Sequence, residues 1–269
     1  MPDYYSLILY LVTGICVGTV SGLFGVGGGL IIVPVLYFVF SAQGFPGQTL
    51  MHLALATSLA TIVITSISST RAHQRHRAGL WPLVVKFTPG ILIGAWLGGL
   101  LAARISSEIL KPMFGAFELL VAGYMLSQYK PAQRSDQVST TRVSLGGGVI
   151  GLISALVGIG GGSLTVPFLL WHGIPMRKAV ATSAAVGLPI ALAGTAAYIY
   201  SGWHQSFTID GHTELTLGYV HLTAFISIIA TSFIFAPVGA KLAHRLPELT
   251  LKRIFSLFLL AIAFKLILS

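Results

Sequence analysis

Charge is scarce in this sequence. Of its 269 residues only 9% are Asp, Glu, Lys or Arg, whereas 55% are hydrophobic. A soluble domain carries about 25% charged residues. Because so few charges cannot cover a surface that faces water, lipid must be the solvent for much of the chain. The composition therefore excludes a water-soluble globular protein and predicts an integral membrane protein.

Other features are missing as well. Cys16 is the single cysteine, which excludes an intrachain disulfide, and its apolar surroundings predict a small buried hydrophobe. No Walker motif is present, so we do not expect this chain to bind ATP. The sequence also predicts no cofactor and no metal site. The formal net charge is +9, but the basic residues occupy short loops between apolar runs, which is not the pattern of a nucleic-acid-binding protein.

Long apolar runs are abundant instead. A helix that crosses the ~30 Å hydrocarbon layer needs ~20 apolar residues, because each residue adds ~1.5 Å. The first run has no cationic segment before it and no small-residue cleavage site after it, so we expect a retained membrane segment rather than a signal peptide. Further runs span residues 54–69, 80–103, 113–128, 179–200, 215–240 and 254–268.

The sequence contains an internal repeat. Residues 18–34 reappear in order as residues 151–167, and residues 51–58 reappear as residues 176–183. A weaker third match relates residues 98–114 to residues 239–255. Self-similarity of this kind predicts two related structural units. We expect a first membrane repeat over residues 1–128, a polar cytoplasmic linker over residues 129–142 and a second membrane repeat over residues 143–269.

The charges of the loops indicate how the two repeats are oriented. The loop at 71–78 carries Arg71, Arg75 and Arg77, whereas its counterpart carries only Asp210 and Glu214. In the three pairs of equivalent loops, taken in chain order, the more basic loop lies in the second half, then in the first, then in the second again. Basic loops mark the cytoplasmic side. This predicts inverted repeats in a bacterial inner membrane with both termini external, with cytoplasmic loops at 71–78, 129–142, 171–178 and 241–253 and external loops at 41–50, 104–111 and 201–216.

The repeated glycine block predicts a broken helix in each half. Glycine costs a helix ~1 kcal/mol relative to alanine, and broken backbone at membrane depth is tolerated only inside protein or beside a watery cavity. A helix that restarts near Leu30 or Ser163 would direct free N–H groups at a small anion. Packing between helices is the alternative role for these glycines. The candidate binding residues are Gly25, Gly27, Gly28, Gly29, Gly158, Gly160, Gly161 and Gly162, and Pro34 and Pro167 follow as helix-break prolines.

Several polar side chains accompany these blocks. Thr57, Ser58, Thr182 and Ser183 are predicted to open long helices, where their hydroxyls would bind an oxyanion or cap the helix. Ser163 is a further candidate for binding substrate, with Ser21, Ser154 and Thr165 as weaker ones. Glu118 lies in an apolar run and is a possible proton carrier, the alternatives being a structural partner of Lys86 or a protonated carboxyl hydrogen-bonded to a neighbouring helix. His52 and His221 lie near the starts of segments, where either could titrate near neutral pH, although a lone interfacial histidine is usually uninvolved.

The duplicated Gly-x-Gly-Gly-Gly-x-x-x-x-Pro blocks, each followed by Ala-Thr-Ser, resemble the TauE/SafE sulfite-exporter family over essentially the whole chain. This resemblance implies a transporter of small sulfur-containing anions such as sulfite, thiosulfate or an organosulfonate. The second repeat departs from the first at Ala155, which replaces Gly22, and at Ser163, which replaces Leu30. We therefore expect the two halves to contribute different groups to the site.

The sequence thus predicts an all-α integral membrane protein with two inverted-topology repeats, each with a glycine-broken helical hairpin plus three spanning helices. Its expected function is that of a secondary transporter that moves a small anion by alternating access, with the lipid bilayer as partner and a possible homo-oligomer. A passive anion channel is an alternative. An intramembrane serine hydrolase is a further alternative, in which Ser163 would need His204 or His221 as its base.

Overall fold

The computed structural model describes residues 4–24, 28–74, 80–127, 140–209, 212–243 and 248–268. These ranges hold ten α-helices and four two-residue strands. The first half comprises α1 (Tyr4–Phe24), α2 (Gly29–Ala42), α3 (Leu50–Gln74), α4 (Trp81–Ala102) and α5 (Ser107–Leu126). The second comprises α6 (Thr140–Leu156), α7 (Gly162–Trp171), α8 (Met176–Ser201), β1 (Thr208–Ile209), β2 (His212–Thr213), β3 (Thr216–Leu217), β4 (Val220–His221), α9 (Leu222–Ala243) and α10 (Glu248–Leu268).

The helices are suited to a bilayer. Within the described ranges, five are long and apolar enough to cross a membrane, and the segment of α3 is 83% buried inside the protein. Large apolar side chains cover the outer surface, including Val85, Ile93, Leu120, Ile226 and Phe264, which are each more than half exposed. A surface of this kind would be costly in water but matches hydrocarbon. The chain is an all-α, multi-pass integral membrane protein.

Each glycine block reverses the direction of the chain. In the first half, α2 returns along α1, so that the Tyr10 hydroxyl donates a hydrogen bond to Gln43 Oε1 at 3.0 Å. In the second half, α7 returns along α6, and a Cβ on Gly146 would lie 2.7 Å from the Phe168 ring. The two ends of each hairpin therefore lie near each other.

The two halves pack against each other through reciprocal contacts between equivalent helices. The first helix of each half packs along the fourth helix of the other half, so α1 contacts α9 and α6 contacts α4. The third helices, α3 and α8, contact each other, and so do the fifth helices, α5 and α10. Equivalent helices thus make equivalent contacts. The inversion of the two halves across a membrane remains a prediction.

Glycine makes these crossings close. Gly90, Gly94 and Gly98 lie on one face of α4, and a Cβ on any of them would strike the backbone of α6. Gly14 and Gly18 meet α9 in the same way. Small residues at four-residue spacing let membrane helices approach closely and gain van der Waals contact. Packing therefore explains these glycines, which lie outside the Gly-x-Gly-Gly-Gly blocks.

The three loops that the charges predict to be external lie together. The Ser107 hydroxyl donates to the Gln48 carbonyl at 2.7 Å, and the rings of Phe45 and Phe207 are 6.1 Å apart. The loop after α8 contains two short antiparallel pairs, β1 with β2 and β3 with β4. The apolar run predicted to start at residue 215 therefore becomes helical only at Leu222, because β3 and β4 occupy its first residues.

Two further predictions about single residues were wrong. Cys16 is exposed rather than buried, because its face of α1 points outward while Val17 and Gly18 face the protein. Thr57 and Thr182 do not open their helices, since α3 begins at Leu50 and α8 at Met176. Their neighbours Ser58 and Ser183 are likewise two turns inside the helices. Gly25, Gly27, Arg75, Arg77, Asp210, Arg245 and most of the predicted linker 129–142 lie outside the described residues.

Replacing Gly94 with alanine tests the packing of α4 on α6. The new methyl group meets the Gly148 carbonyl oxygen, and overpacking of this kind costs ~1–3 kcal/mol. We expect the melting temperature in detergent to fall by roughly 2–12 °C. Gly123→Ala is the matched control, because a Cβ there meets nothing within 4 Å. Equal melting temperatures for the two variants would contradict the packing role.

Candidate functional site

The two glycine breaks meet inside the protein. A Cβ on Gly29 would lie 2.7 Å from the Gly158 carbonyl oxygen and 3.0 Å from Ile159 Cα. Gly29 starts α2 in the first half, and the other two residues belong to the break between α6 and α7. The fold therefore brings both interrupted segments to one place, and a residue without a side chain at position 29 allows this close an approach.

The two restarted helices begin in the same way. The residue before α2 is Gly28 at φ 78°, and the residue before α7 is Gly161 at φ 74°. Both are in the left-handed region that favours glycine. No side chain caps either start, so the first amide N–H groups and the positive end of the helix dipole face the break. Helix starts were expected near Leu30 and Ser163, and they lie at Gly29 and Gly162.

Proline occupies the sixth position of both helices, at Pro34 in α2 and Pro167 in α7. Because proline has no amide hydrogen, it cannot bond the carbonyl four residues earlier. The carbonyls of Leu30 and Ser163 are thereby released from the helical ladder. Each break thus combines N–H groups without helical partners at the helix start with a carbonyl, on the second residue of the helix, that has lost its helical donor.

The long helices α3 and α8 enclose the second break. A Cβ on Gly160 would lie 2.7 Å from the Ile62 side chain on α3. A Cβ on Gly187 of α8 would lie 2.8 Å from the Gly160 carbonyl oxygen and 2.9 Å from the Ser66 hydroxyl. The hydroxyl of Ser58 donates to the Gly158 carbonyl at 2.8 Å. The broken backbone is therefore surrounded by protein, as membrane depth requires.

Unpaired hydroxyl groups surround the start of α7. Ser154 and Thr165 are 1% and 0% exposed, and their hydroxyl oxygens would lie 3.6 and 3.5 Å from a Cβ on Gly161. Neither has a hydrogen-bond partner among the described residues, and the same holds for the hydroxyls of Ser163 and Ser183. A buried hydroxyl without a partner costs roughly 1–3 kcal/mol. Hydroxyls left unpaired beside an uncapped helix start are available to a ligand.

The first break lacks this polar set. The positions that match Ser163 and Thr165 are Leu30 and Ile32, which are both fully buried apolar side chains. Among the counterparts of Ser154, Ser163 and Thr165, only Ser21, which matches Ser154, retains a hydroxyl. The side chains around the two described helix starts therefore differ in polarity. Ser154 and Thr165, which the sequence offered as weaker candidates, lie beside the second helix start, and the mismatch of Thr165 with Ile32 was visible in the sequence.

Thr57 and Thr182 join helices in a matched pair of hydrogen bonds. Thr57 Oγ1 accepts the backbone N–H of His221 at 2.9 Å, directly before α9. Thr182 Oγ1 accepts the backbone N–H of Leu80 at 3.2 Å, directly before α4. The two bonds are equivalent under the internal repeat. Each of these threonine hydroxyls thus joins the start of one helix to another helix. Of the two serines that follow them, Ser58 bonds the Gly158 carbonyl, whereas Ser183 has no partner among the described residues.

Glu118 is apart from these hydroxyls, on α5, which packs against α10. Its side chain is 0% exposed, and neither carboxylate oxygen has a hydrogen-bond partner among the described residues. The suggested pairing with Lys86 is therefore not formed. A carboxyl group in this position is expensive and by default marks a functional site.

Ser163 has no catalytic base beside it. Its hydroxyl oxygen is without a hydrogen-bond partner in the described part of the chain, and the His221 ring is hydrogen-bonded to Glu214 and Ala224 instead. Nucleophilic catalysis by serine needs an adjacent base. Among the described residues, the hydrogen bonds therefore show no serine–histidine pair at Ser163.

The all-helical fold, the membrane-length helices and the enclosed broken backbone define a polytopic membrane protein with an internal polar site. Comparison with known proteins agrees, because residues 10–266 match the family described as Sulfite exporter TauE/SafE. The chain belongs to this family and is a membrane transporter.

Relatives match over most of their length. The chain is 37% identical to a probable membrane transporter protein of Haemophilus influenzae, and the match covers 98% of both chains. It is 31% identical to a probable membrane transporter protein of Methanocaldococcus jannaschii over 82% of this chain and 78% of the relative. A Bacillus subtilis protein of the same description is 28% identical over 73% of this chain and 80% of the relative.

Thr57→Val tests the hydrogen bond that joins α3 to the start of α9. Valine keeps the shape of threonine but leaves the buried His221 N–H without a partner, which costs ~1–3 kcal/mol. We expect a lower free energy of unfolding in detergent. Thr195→Val is the control, because the Thr195 hydroxyl is buried with no partner among the described residues. If both variants unfold like the unmodified protein, Thr57 does not have this role.

Proposed function

We propose that this protein is a secondary transporter for a small anion, which binds at the start of α7 between the two glycine breaks. The observation that carries the proposal is the pair of buried, unpaired hydroxyls of Ser154 and Thr165 beside an uncapped helix start. An anion would accept hydrogen bonds from these hydroxyls and from the first amides of α7. The helix dipole would add favourable electrostatic energy.

The proposed cargo is a sulfur oxyanion such as sulfite, thiosulfate or an organosulfonate. The description of the matching family supports this class, and so does the chemistry of the site. Several N–H and O–H donors without a full positive charge suit a weakly basic anion with several oxygens. Gly160, Gly161 and Gly162 permit such an anion to approach the backbone closely.

The proposed mechanism is alternating access in the inner membrane of a bacterium. Each half has one hairpin that returns the chain to its starting side, followed by three further helices. Three net crossings would invert the second half relative to the first, which is a recurrent architecture in secondary transporters. The exchanged packing of α1 on α9 and of α6 on α4 supports two units that rock about the glycine breaks. Glu118, with its buried and unpaired carboxyl, is the proposed proton carrier.

The double variant Ser154→Ala, Thr165→Val tests the site. We expect the melting temperature without ligand to be unchanged or higher, because both hydroxyls lack described partners. Sulfite at a hundred times its dissociation constant should stabilise the unmodified protein by ~2.7 kcal/mol, or roughly 5–11 °C. The double variant should lose this shift, since each lost hydrogen bond weakens binding of an anion ~10- to 100-fold. Thr195→Val should retain it.

A retained sulfite shift in the double variant would contradict the site. A shift with small carboxylates alone would contradict the sulfur cargo and leave the transporter in place.

Gly160→Leu tests transport itself. The leucine side chain enters the space of Ile62 at the second break, so we expect sulfite flux into proteoliposomes to be abolished while the protein still inserts. Gly27→Leu should have the same effect. Gly123→Ala is the control with normal flux. Normal flux in both break variants would refute the role of the breaks, and flux that never proceeds against a sulfite gradient under an imposed ion gradient would favour the passive channel.

A further inference from the structure

His221 is a buried imidazole at the start of α9. Its side chain is 2% exposed, and the rings of Tyr10, Phe40 and Phe45 lie 6.2, 5.1 and 5.5 Å from its own ring. Nδ1 accepts the backbone N–H of Ala224 at 3.2 Å. Ala224 is the third residue of α9, so the imidazole occupies the place of a helix N-cap acceptor. An amide at this position has no partner within the helix.

The contacts of His221 determine which nitrogen carries the proton. Because Nδ1 accepts from Ala224, the hydrogen of the neutral ring is on Nε2, which lies 3.3 Å from Glu214 Oε2. A second proton would have to bind Nδ1, where it would face the N–H of Ala224. Two donors cannot share this contact. Protonation of the ring therefore requires the hydrogen bond to Ala224 to break.

The cap is connected to the second glycine break. The backbone N–H of His221 donates to Thr57 Oγ1, and the next residue on α3, Ser58, donates to the Gly158 carbonyl. The equivalent junction in the other half joins Thr182 to Leu80, where the side chain has no titratable group. The arrangement at His221 is thus specific to the face whose loops are predicted to be external.

Other titratable groups lie on the elements that pack around His221. They are Glu214 in the segment before β3, Tyr10 on α1, His52 on α3, Tyr198 on α8 and Tyr219 in the turn between β3 and β4. His52 stacks on Tyr219 at 5.1 Å and directs Nε2 at the carbonyls of Ala102 and Ile105. Its Nδ1 faces the Ser107 hydroxyl. Both nitrogens of His52 therefore have possible acceptors, unlike Nδ1 of His221.

We propose that His221, whose Nε2 is hydrogen-bonded to Glu214, is a proton-binding site of the predicted external face. Proton binding at Nδ1 releases the N-terminus of α9 from its cap. The ligand is a single proton from the solvent on that face. Release would loosen the junction between α9 and α3 and thus the contact of Ser58 with the second break. This inference does not depend on the identity of the transported anion.

The pKa of His221 sets the direction of the response. Burial lowers the pKa of the capped imidazole below its ordinary value, although the nearby Glu214 carboxylate opposes this effect. Release would expose the ring to water and remove this penalty, so the pKa of the released ring is higher than that of the capped ring. The capped form then binds fewer protons than the released form, so the cap is at full strength above the pKa of the released ring and weakens, by at most tenfold per pH unit, as the pH falls towards the lowered pKa.

Hydrogen–deuterium exchange of the full-length protein in lipid nanodiscs tests the proposal. The amide of Ala224 should lose protection as the pH falls through the range in which histidine ordinarily titrates, by up to about tenfold per pH unit, after correction for the intrinsic rate. His221→Asn should abolish this dependence, because Oδ1 of asparagine accepts the same amide and does not titrate. The matched control is His52→Gln, in which Nε2 still donates to Ala102 and Ile105. It should keep the dependence.

Protection at Ala224 that does not change with pH in the unmodified protein would overturn the proposal. The same pH dependence in His221→Asn would overturn it as well. Glu214→Gln gives an independent reading if the asparagine variant does not fold. Glutamine still accepts from Nε2 but lacks the charge that favours the protonated ring. The loss of protection at Ala224 should therefore begin only at a lower pH in this variant. No change in the pH profile of this variant would also contradict the role of the pair.

Discussion

The structure depends on one requirement: the backbone N–H and carbonyl groups at the helix breaks need hydrogen-bond partners inside a membrane. The glycine blocks interrupt two helices and leave backbone groups outside the helical ladder, among them the first N–H groups of α2 and α7 and the Gly158 carbonyl. Lipid offers no partners for these groups, so protein must enclose them. The helices α3 and α8 do so, and Ser58 bonds the Gly158 carbonyl directly. The hairpins, the central position of α3 and the exchanged packing of α1 and α6 are all consistent with this one requirement.

A duplicated scaffold carries chemistry that is not duplicated. The left-handed glycines, the sixth-position prolines and the Thr57 and Thr182 hydrogen bonds recur in both halves. Around the described helix starts, most of the unpaired hydroxyls belong to the second half, where Ser163 and Thr165 replace Leu30 and Ile32. Similarly, the titratable cap at His221 has Leu80 as its counterpart. Under the proposed mechanism, the related halves would provide the movement, and their differences would provide the binding site and the site that responds to protons.

Much of the fold could be predicted from local physics. Glycine weakens a helix wherever it occurs, so the breaks were visible, and both helices restart within one residue of the predicted positions. The all-helical membrane class followed from charge and apolar length. The roles of Thr57 and His221 depend on a contact between residues 164 positions apart, which no local pattern reveals. Periodicity also did not show that Cys16 faces outward, or that β3 and β4 precede α9.

The binding of an anion between the glycine breaks is tested most directly by X-ray diffraction from crystals grown with selenite, whose selenium gives an anomalous signal. The account predicts an anomalous peak beside the start of α7, with the hydroxyls of Ser154 and Thr165 as ligands. A peak at the start of α2, against the apolar side chains of Leu30 and Ile32, would contradict it. Peaks confined to the outer surface of the protein would contradict it too.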